Sequence, residues 1–290
     1  MRFVEKWRAA VEAKNSVLCA GLDPAVSEMR RDGKSLSPGT SKRDWALCYL
    51  ESVGPWCAAV KLNVNYWKSD RDPEVIREIV ALAHSMDLVT IEDCKLADIG
   101  STNDAGMFHA AQKGIDAVTF SPFAGNIEEA ARQAEARKLG LISMCLMSNP
   151  EYRLEKRKLV EIEEAGAFPD QMIERVGGVP YVRQYQYLAH RAAVCNIDGV
   201  VIGAPSASNH LRQEELAEVS TLLGRDTLVL VPGIGAQGGQ ADVFWRHFQP
   251  DRVLINCGRS LMFPASGTHA EQAQTLSLWL NELRRSKHEK

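Results

Sequence analysis

The chain has 290 residues, 45 % hydrophobic and 24 % charged, with a formal net charge of −3. That length and balance fit one large α/β domain that buries its core without disulfide or metal support; the charge argues against a nucleic-acid footprint, and no apolar run is long enough to span a membrane. Seven cysteines without a CxxC pair, and seven histidines forming neither HxxxH nor HExxH, lead us to expect buried free thiols in a reducing cytoplasm and no zinc site.

The first sixteen residues, MRFVEKWRAAVEAKNS, are amphipathic and charged throughout, unlike a signal peptide. The first strand candidate follows at 16–22 (SVLCAGL). A polar stretch at 24–43 comes next, too long for a plain connection. Further strands are predicted at 57–63, 87–94, 116–120 and 139–147. Helical spacing recurs between them, as in 73–85 and in 126–138, where Asn126 stands at the N-cap. Residues 149–196 form a second long insertion, expected to hold a charged helix (151–166) and another near 181–194. It could be a solvated surface insertion or a lid over the active face. The last three strands are predicted at 198–204, 227–232 and 251–257. Eight strands alternating with helices imply parallel pairing and right-handed crossovers. The expected architecture is a (β/α)₈ TIM barrel, residues 1–290 forming a single domain with insertions after strands one and five. An open doubly wound sheet is the alternative, weakened because no GxGxxG follows the first strand.

In such a barrel, catalytic groups sit at the C-terminal ends of the strands. Asp23 ends the first, Lys61 the second, and Asp93 and Lys95 the third, with Asp98 in the following turn. Ser148 ends the fifth strand. Asp93 and Lys95 are two apart, so both point to one side of a strand while Glu92 and Cys94 point to the other. Facing the barrel axis, they would meet Lys61 at the mouth as an array of alternating charge. The seventh strand ends in VPGIGAQGG and the eighth in CGRS. Glycine-rich turns there expose backbone N–H groups, and Arg259 adds a guanidinium, so a small phosphorylated substrate is expected.

DCKLADIGST at 93–102 resembles the DxKxxDIxxT signature of the orotidine 5′-phosphate decarboxylase family. LCAGLDP (18–24), VKLN (60–63), the Met-Ser pair (147–148), VPGIGAQGG (231–239) and GRS (258–260) follow in the family's order. The resemblance implies decarboxylation of orotidine 5′-monophosphate to uridine 5′-monophosphate, the last step of de novo pyrimidine nucleotide synthesis, without metal or cofactor. It implies that Lys61, Asp93, Lys95 and Asp98 form the catalytic array. Lys95 would protonate C6 of the pyrimidine and Asp93 would face the substrate carboxylate. It also implies a homodimer in which Asp98 and Thr102 reach the neighbouring subunit's site. Asp23 and Lys61 would hold the ribose and Ser148 the pyrimidine edge; Gln237 and Arg259, with backbone groups at Gly258, would grip the phosphate, and Pro232 would also belong to the substrate-binding set. The two insertions make the chain similar to the longer bacterial branch of the family, whose phosphate-side loop, here about 233–241, would be the lid.

Three other readings stay open. A strand-end lysine could form a Schiff base, although the adjacent carboxylate keeps it protonated. A magnesium-dependent keto-sugar-phosphate decarboxylase would need further carboxylate ligands, and Glu92 is expected to face away. A catalytically silent nucleotide-binding barrel would be expected to lose charges that are all present here.

Overall fold

The computed structural model describes residues 1–30, 33–69, 71–234 and 240–286. Helix α1 (Phe3–Lys14) is followed by β1 (Leu18–Leu22), α2 (Lys42–Val53), β2 (Ala59–Asn63), α3 (Asp72–Ser85) and β3 (Val89–Leu96). Then come α4 (Gly100–Gln112), β4 (Ala117–Phe120), α5 (Ile127–Ala136) and β5 (Gly140–Leu146). After the insertion, described below, the chain continues through β9 (Gly199–Ile202), α8 (Gln213–Leu222), β10 (Leu228–Pro232), β11 (Val253–Cys257), α9 (Arg259–Met262) and α10 (His269–Arg285).

β1, β2, β3, β4, β5, β9, β10 and β11 pair in parallel, and β11 returns to β1 to close the barrel. All eight expected strands are therefore present, in the expected order around a (β/α)₈ barrel. Their sequences read as unbroken apolar runs because both faces are covered, as in β5, which is buried at every position. α1 lies across the N-terminal end of the strands. Its Trp7 is fully buried and donates through Nε1 to the Asp251 carbonyl at 2.7 Å. Lys6 reaches Asp116, just before β4, at 2.7 Å.

The insertion departs from expectation. Only Tyr152–Glu155 of the charged stretch 151–166 is α-helical (α6), and Leu159–Glu161 is a strand, β6. With β7 (Glu174–Val176) and β8 (Val179–Arg183) it forms a three-stranded antiparallel sheet in the order β6-β8-β7. Gly177 and Gly178 make the two-residue hairpin turn between β7 and β8, with φ of 60° and 88°. That turn needs positive φ at both positions, which glycine adopts without strain. α7 (Gln184–Val194) is the expected second helix, and it is the crossover from β5 to β9. The added material is thus mainly the small sheet. It is anchored by Lys156, buried and bound to both Glu215 carboxylate oxygens at 2.5 and 2.7 Å. Tyr152 also donates to the Cys145 carbonyl at 2.5 Å.

Asn126 does stand before α5, but its side chain does not cap the helix. Its Nδ2 instead donates to the Asp98 carbonyl at 3.1 Å, tying the β4–α5 turn to the loop after β3.

Candidate active site

Asp93 is the centre of the strand-end array. Parallel pairing sets Asn63 of β2 opposite Asp93, which leaves Lys61 one turn of the pleat deeper in the barrel. Lys61 Nζ donates to Asp93 Oδ2 at 2.5 Å, and Lys95 Nζ to Oδ1 at 2.5 Å. The two lysines differ in exposure: the Lys61 side chain is 8 % exposed and that of Lys95 49 %. Lys95 therefore faces the open mouth of the barrel while Lys61 supports Asp93 from beneath. Glu92 points the other way and pairs with Lys113, the residue that caps the C-terminal end of α4. The expected split between the two sides of β3 holds for Asp93, Lys95 and Glu92.

Burial alone would push the Asp93 carboxyl up, but Lys61 and then Lys95 outweigh it and hold the pKa at about 2. Burial also works against the charge on Lys61, yet Asp93 and Asp23 raise its pKa above the ordinary lysine value. Lys61 is thus a protonated ammonium, unsuited to Schiff-base attack. Asp23, just beyond β1, is raised by burial, partly offset by Lys61. Its Oδ1 is shielded from solvent and has no hydrogen-bond partner among the described residues.

Asp98 does not join this array within one chain. It is exposed on the rim after β3, and no ion pair links it to Lys61 or Lys95 among the described residues. Its Oδ1 accepts from the Ile99 N–H at 2.8 Å. Asn103 holds this loop from α4, accepting from the Asp98 N–H at 3.1 Å and donating to the Asp98 carbonyl. Thr102, in the first turn of α4, is also exposed.

The other predicted residues that are described lie at the same end of the barrel. Ser148 follows β5 and packs against Gly203 after β9; a Cβ on that glycine would sit 2.7 Å from the Ser148 Cβ. Pro232 ends β10 and pairs in register with Asn256. Gly258 and Arg259 follow β11, and a Cβ on Gly21 would meet the Gly258 Cα at 2.8 Å. The glycine of GLDP therefore sets the close approach of the first and last strand ends. Gln237 lies outside the described residues, as does most of the 233–241 loop.

One residue at the centre was not singled out from the sequence. Thr119, buried on β4, donates through Oγ1 to Asp93 Oδ1 at 3.0 Å and accepts from the Lys95 N–H at 2.9 Å. A lone threonine in DAVTF carries no signal apart from β propensity.

A family model, Orotidine 5′-phosphate decarboxylase / HUMPS family, matches residues 16–262. The chain belongs to this family. It is 30 % identical to the orotidine 5′-phosphate decarboxylase of Ralstonia pickettii, over 96 % of each chain. It is also 30 % identical to that of Halobacterium salinarum, over 93 % of this chain and 91 % of the relative. The solved OMP decarboxylase of Leishmania donovani superposes with a TM-score of 0.74 at 21 % identity, over 98 % of this chain and 99 % of that one. The orotidine 5′-monophosphate decarboxylase of Methanocaldococcus jannaschii, solved with the inhibitor BMP, gives a TM-score of 0.63 at 22 % identity, over 91 % and 98 %. These two structures share the family's barrel.

Proposed function

We propose that this member of the family decarboxylates orotidine 5′-monophosphate to uridine 5′-monophosphate, the closing step of pyrimidine nucleotide synthesis. The observation that carries the reading is the Lys61–Asp93–Lys95 run, with its outermost ammonium facing the barrel mouth. When the bond from C6 to the carboxylate breaks, its electron pair stays on C6. Lys95 stabilises that charge and then gives its proton to the carbon, and solvent returns a proton to Lys95. Asp93 stands beside the substrate carboxylate, disfavouring the reactant relative to departing carbon dioxide. Asp23 and Lys61 hold the ribose, and Ser148 meets the pyrimidine edge. Pro232, Gln237, Gly258 and Arg259 line the phosphate end, whose binding energy drives closure of the site. No metal or cofactor is required by this chemistry.

The same reading makes the working unit a homodimer, with Asp98 and Thr102 completing the partner's site. The rim that carries them also carries Ile99, 63 % exposed, and Phe123, 90 % exposed, apolar surface suited to a subunit contact. All seven cysteines are free, which fits a reducing cytoplasm. The magnesium-dependent relative is disfavoured, since Glu92 is turned into a pair with Lys113.

Loss of orotidine 5′-monophosphate, followed spectrophotometrically with dialysed, metal-free protein, tests reaction, substrate and cofactor independence together. Conversion to uridine 5′-monophosphate is expected. A folded dimer that converts none would overturn the reading.

A further inference from the structure

We propose that Thr119 is a positioning residue for the reaction: its hydroxyl fixes both the backbone bulge and the carboxylate that aim the Lys95 ammonium. The inference rests on the assignment of Lys95 as proton donor and adds what holds that donor in place.

The pairing of β3 with β4 slips around the site. Glu92 is opposite Val118 and Leu96 opposite Phe120, so four residue steps on β3 are spanned by two on β4. The two additional residues bulge out of the ladder. Within the bulge, Lys95 has φ of +45°, a left-handed backbone that a non-glycine residue adopts only when its surroundings impose it. This conformation brings the Lys95 amine back onto Asp93, two residues earlier.

A bulge also takes a backbone N–H out of the ladder, and a buried N–H needs another acceptor. Thr119 Oγ1 supplies it, accepting from the Lys95 N–H at 2.9 Å. The same oxygen has one proton, directed to Asp93 Oδ1 at 3.0 Å, the carboxylate oxygen that Lys95 Nζ also contacts. The result is a closed ring: Lys95 N–H, Thr119 hydroxyl, Asp93 Oδ1, Lys95 Nζ. The ring ties the backbone of the donor residue to the group its side chain points at. Thr119 is 1 % exposed, leaving no room for bulk water to replace its hydroxyl. A β-branched residue would serve strand packing equally well as valine. The ring needs the hydroxyl.

The test compares wild type, Thr119→Val and Thr119→Ser for kcat and KM on orotidine 5′-monophosphate, normalised to the active fraction. Calorimetric binding of uridine 5′-monophosphate is measured on each. A displacement of ~1 Å in a reacting group lowers turnover on the order of 10²-fold. Thr119→Val is therefore expected to lose about that factor in kcat, with KM and product affinity within about threefold of wild type. Thr119→Ser retains the hydroxyl and is expected to recover most of the loss. If the valine variant does not fold, Thr119→Cys, a weak donor of similar size, carries the same comparison. Undiminished kcat without the hydroxyl, or a serine variant as slow as the valine one, would overturn the role of Thr119 while leaving the reaction assignment standing. Absence of turnover in the wild type itself would instead overturn the reaction assignment, and this proposal with it.

Discussion

Asp93 accepts from Lys61, Lys95 and Thr119, and this set of donors explains how a carboxylate at a barrel mouth stays ionised. With its pKa held at about 2, it is ionised near neutral pH. Between two ammonium groups, its charge is balanced from both sides, and only the Lys95 side opens to a ligand. Lys95→Ala should remove the proton donor and one partner of Asp93 but leave the phosphate end intact. We expect kcat to fall by at least ~10³-fold while calorimetric affinity for uridine 5′-monophosphate stays within about tenfold; near-normal turnover would rule out Lys95 as the acid. Under the proposed assignment, Arg259→Ala changes only contacts to the phosphate, remote from the reacting carbon. It should mainly raise KM, and a larger loss in kcat than that of Lys95→Ala would contradict the assignment.

Among the elements, α1 shows how the N-terminal end of the barrel is held, away from the chemistry. Asp116 precedes β4, lies 2.7 Å from Lys6 of α1 and 2.8 Å from His84 of α3, and accepts from the Thr90 N–H at 2.8 Å. Burial works against its charge, but His84, Lys6 and the Thr90 N–H outweigh it and hold its pKa at about 2. In the unfolded chain the carboxyl returns to about 4. Between those values the unfolded state binds more protons, so stability rises with pH there; the contribution is complete above the unfolded pKa and is lost as pH falls through about 2. Asp116→Asn should cost about 2 kcal/mol at pH 7 and much less near pH 2, read from denaturant midpoints at the two pH values. An equal loss at both would mean that the effect is not one of charge. The same scale shows what the sequence displays. Long apolar runs such as GLISMCL announce buried parallel strands because both faces are covered. β6 and β7 have three residues each, too few for a period, and the charges around them imitate a solvated helix. The Gly-Gly pair at 177–178, unread in the sequence, is the feature that could have marked a hairpin there. The array residues were legible because charge at the end of a buried strand is unusual. The bulge that aims Lys95 was not, since it depends on a register slip with β4 and a threonine that looks like any strand residue.

At the scale of the whole molecule, one chain holds three members of the expected four-charge array. Asp98 is on the rim with its carboxylate turned to its own loop, and Asn103 and Asn126 fasten that loop from α4 and from the start of α5. A fastened, exposed carboxylate beside exposed Ile99 and Phe123 is suited to act on another copy of the chain rather than on its own barrel. If Asp98 completes the partner's site, Lys95→Ala and Asp98→Ala chains are each inactive as homodimers but complementary when mixed. In the mixed dimer, one site combines both defects. The other combines an intact Lys95 from one chain with an intact Asp98 from its partner. Random reassortment of equal amounts makes about half the dimers mixed, each with one sound site, so the mixture should regain about a quarter of wild-type activity. The recovery should require subunit exchange, appearing after dilution and reassociation and tracking the mixed dimer resolved by native mass spectrometry. Mixed dimers that form without recovered activity would place the function of Asp98 within its own chain and remove the shared-site arrangement.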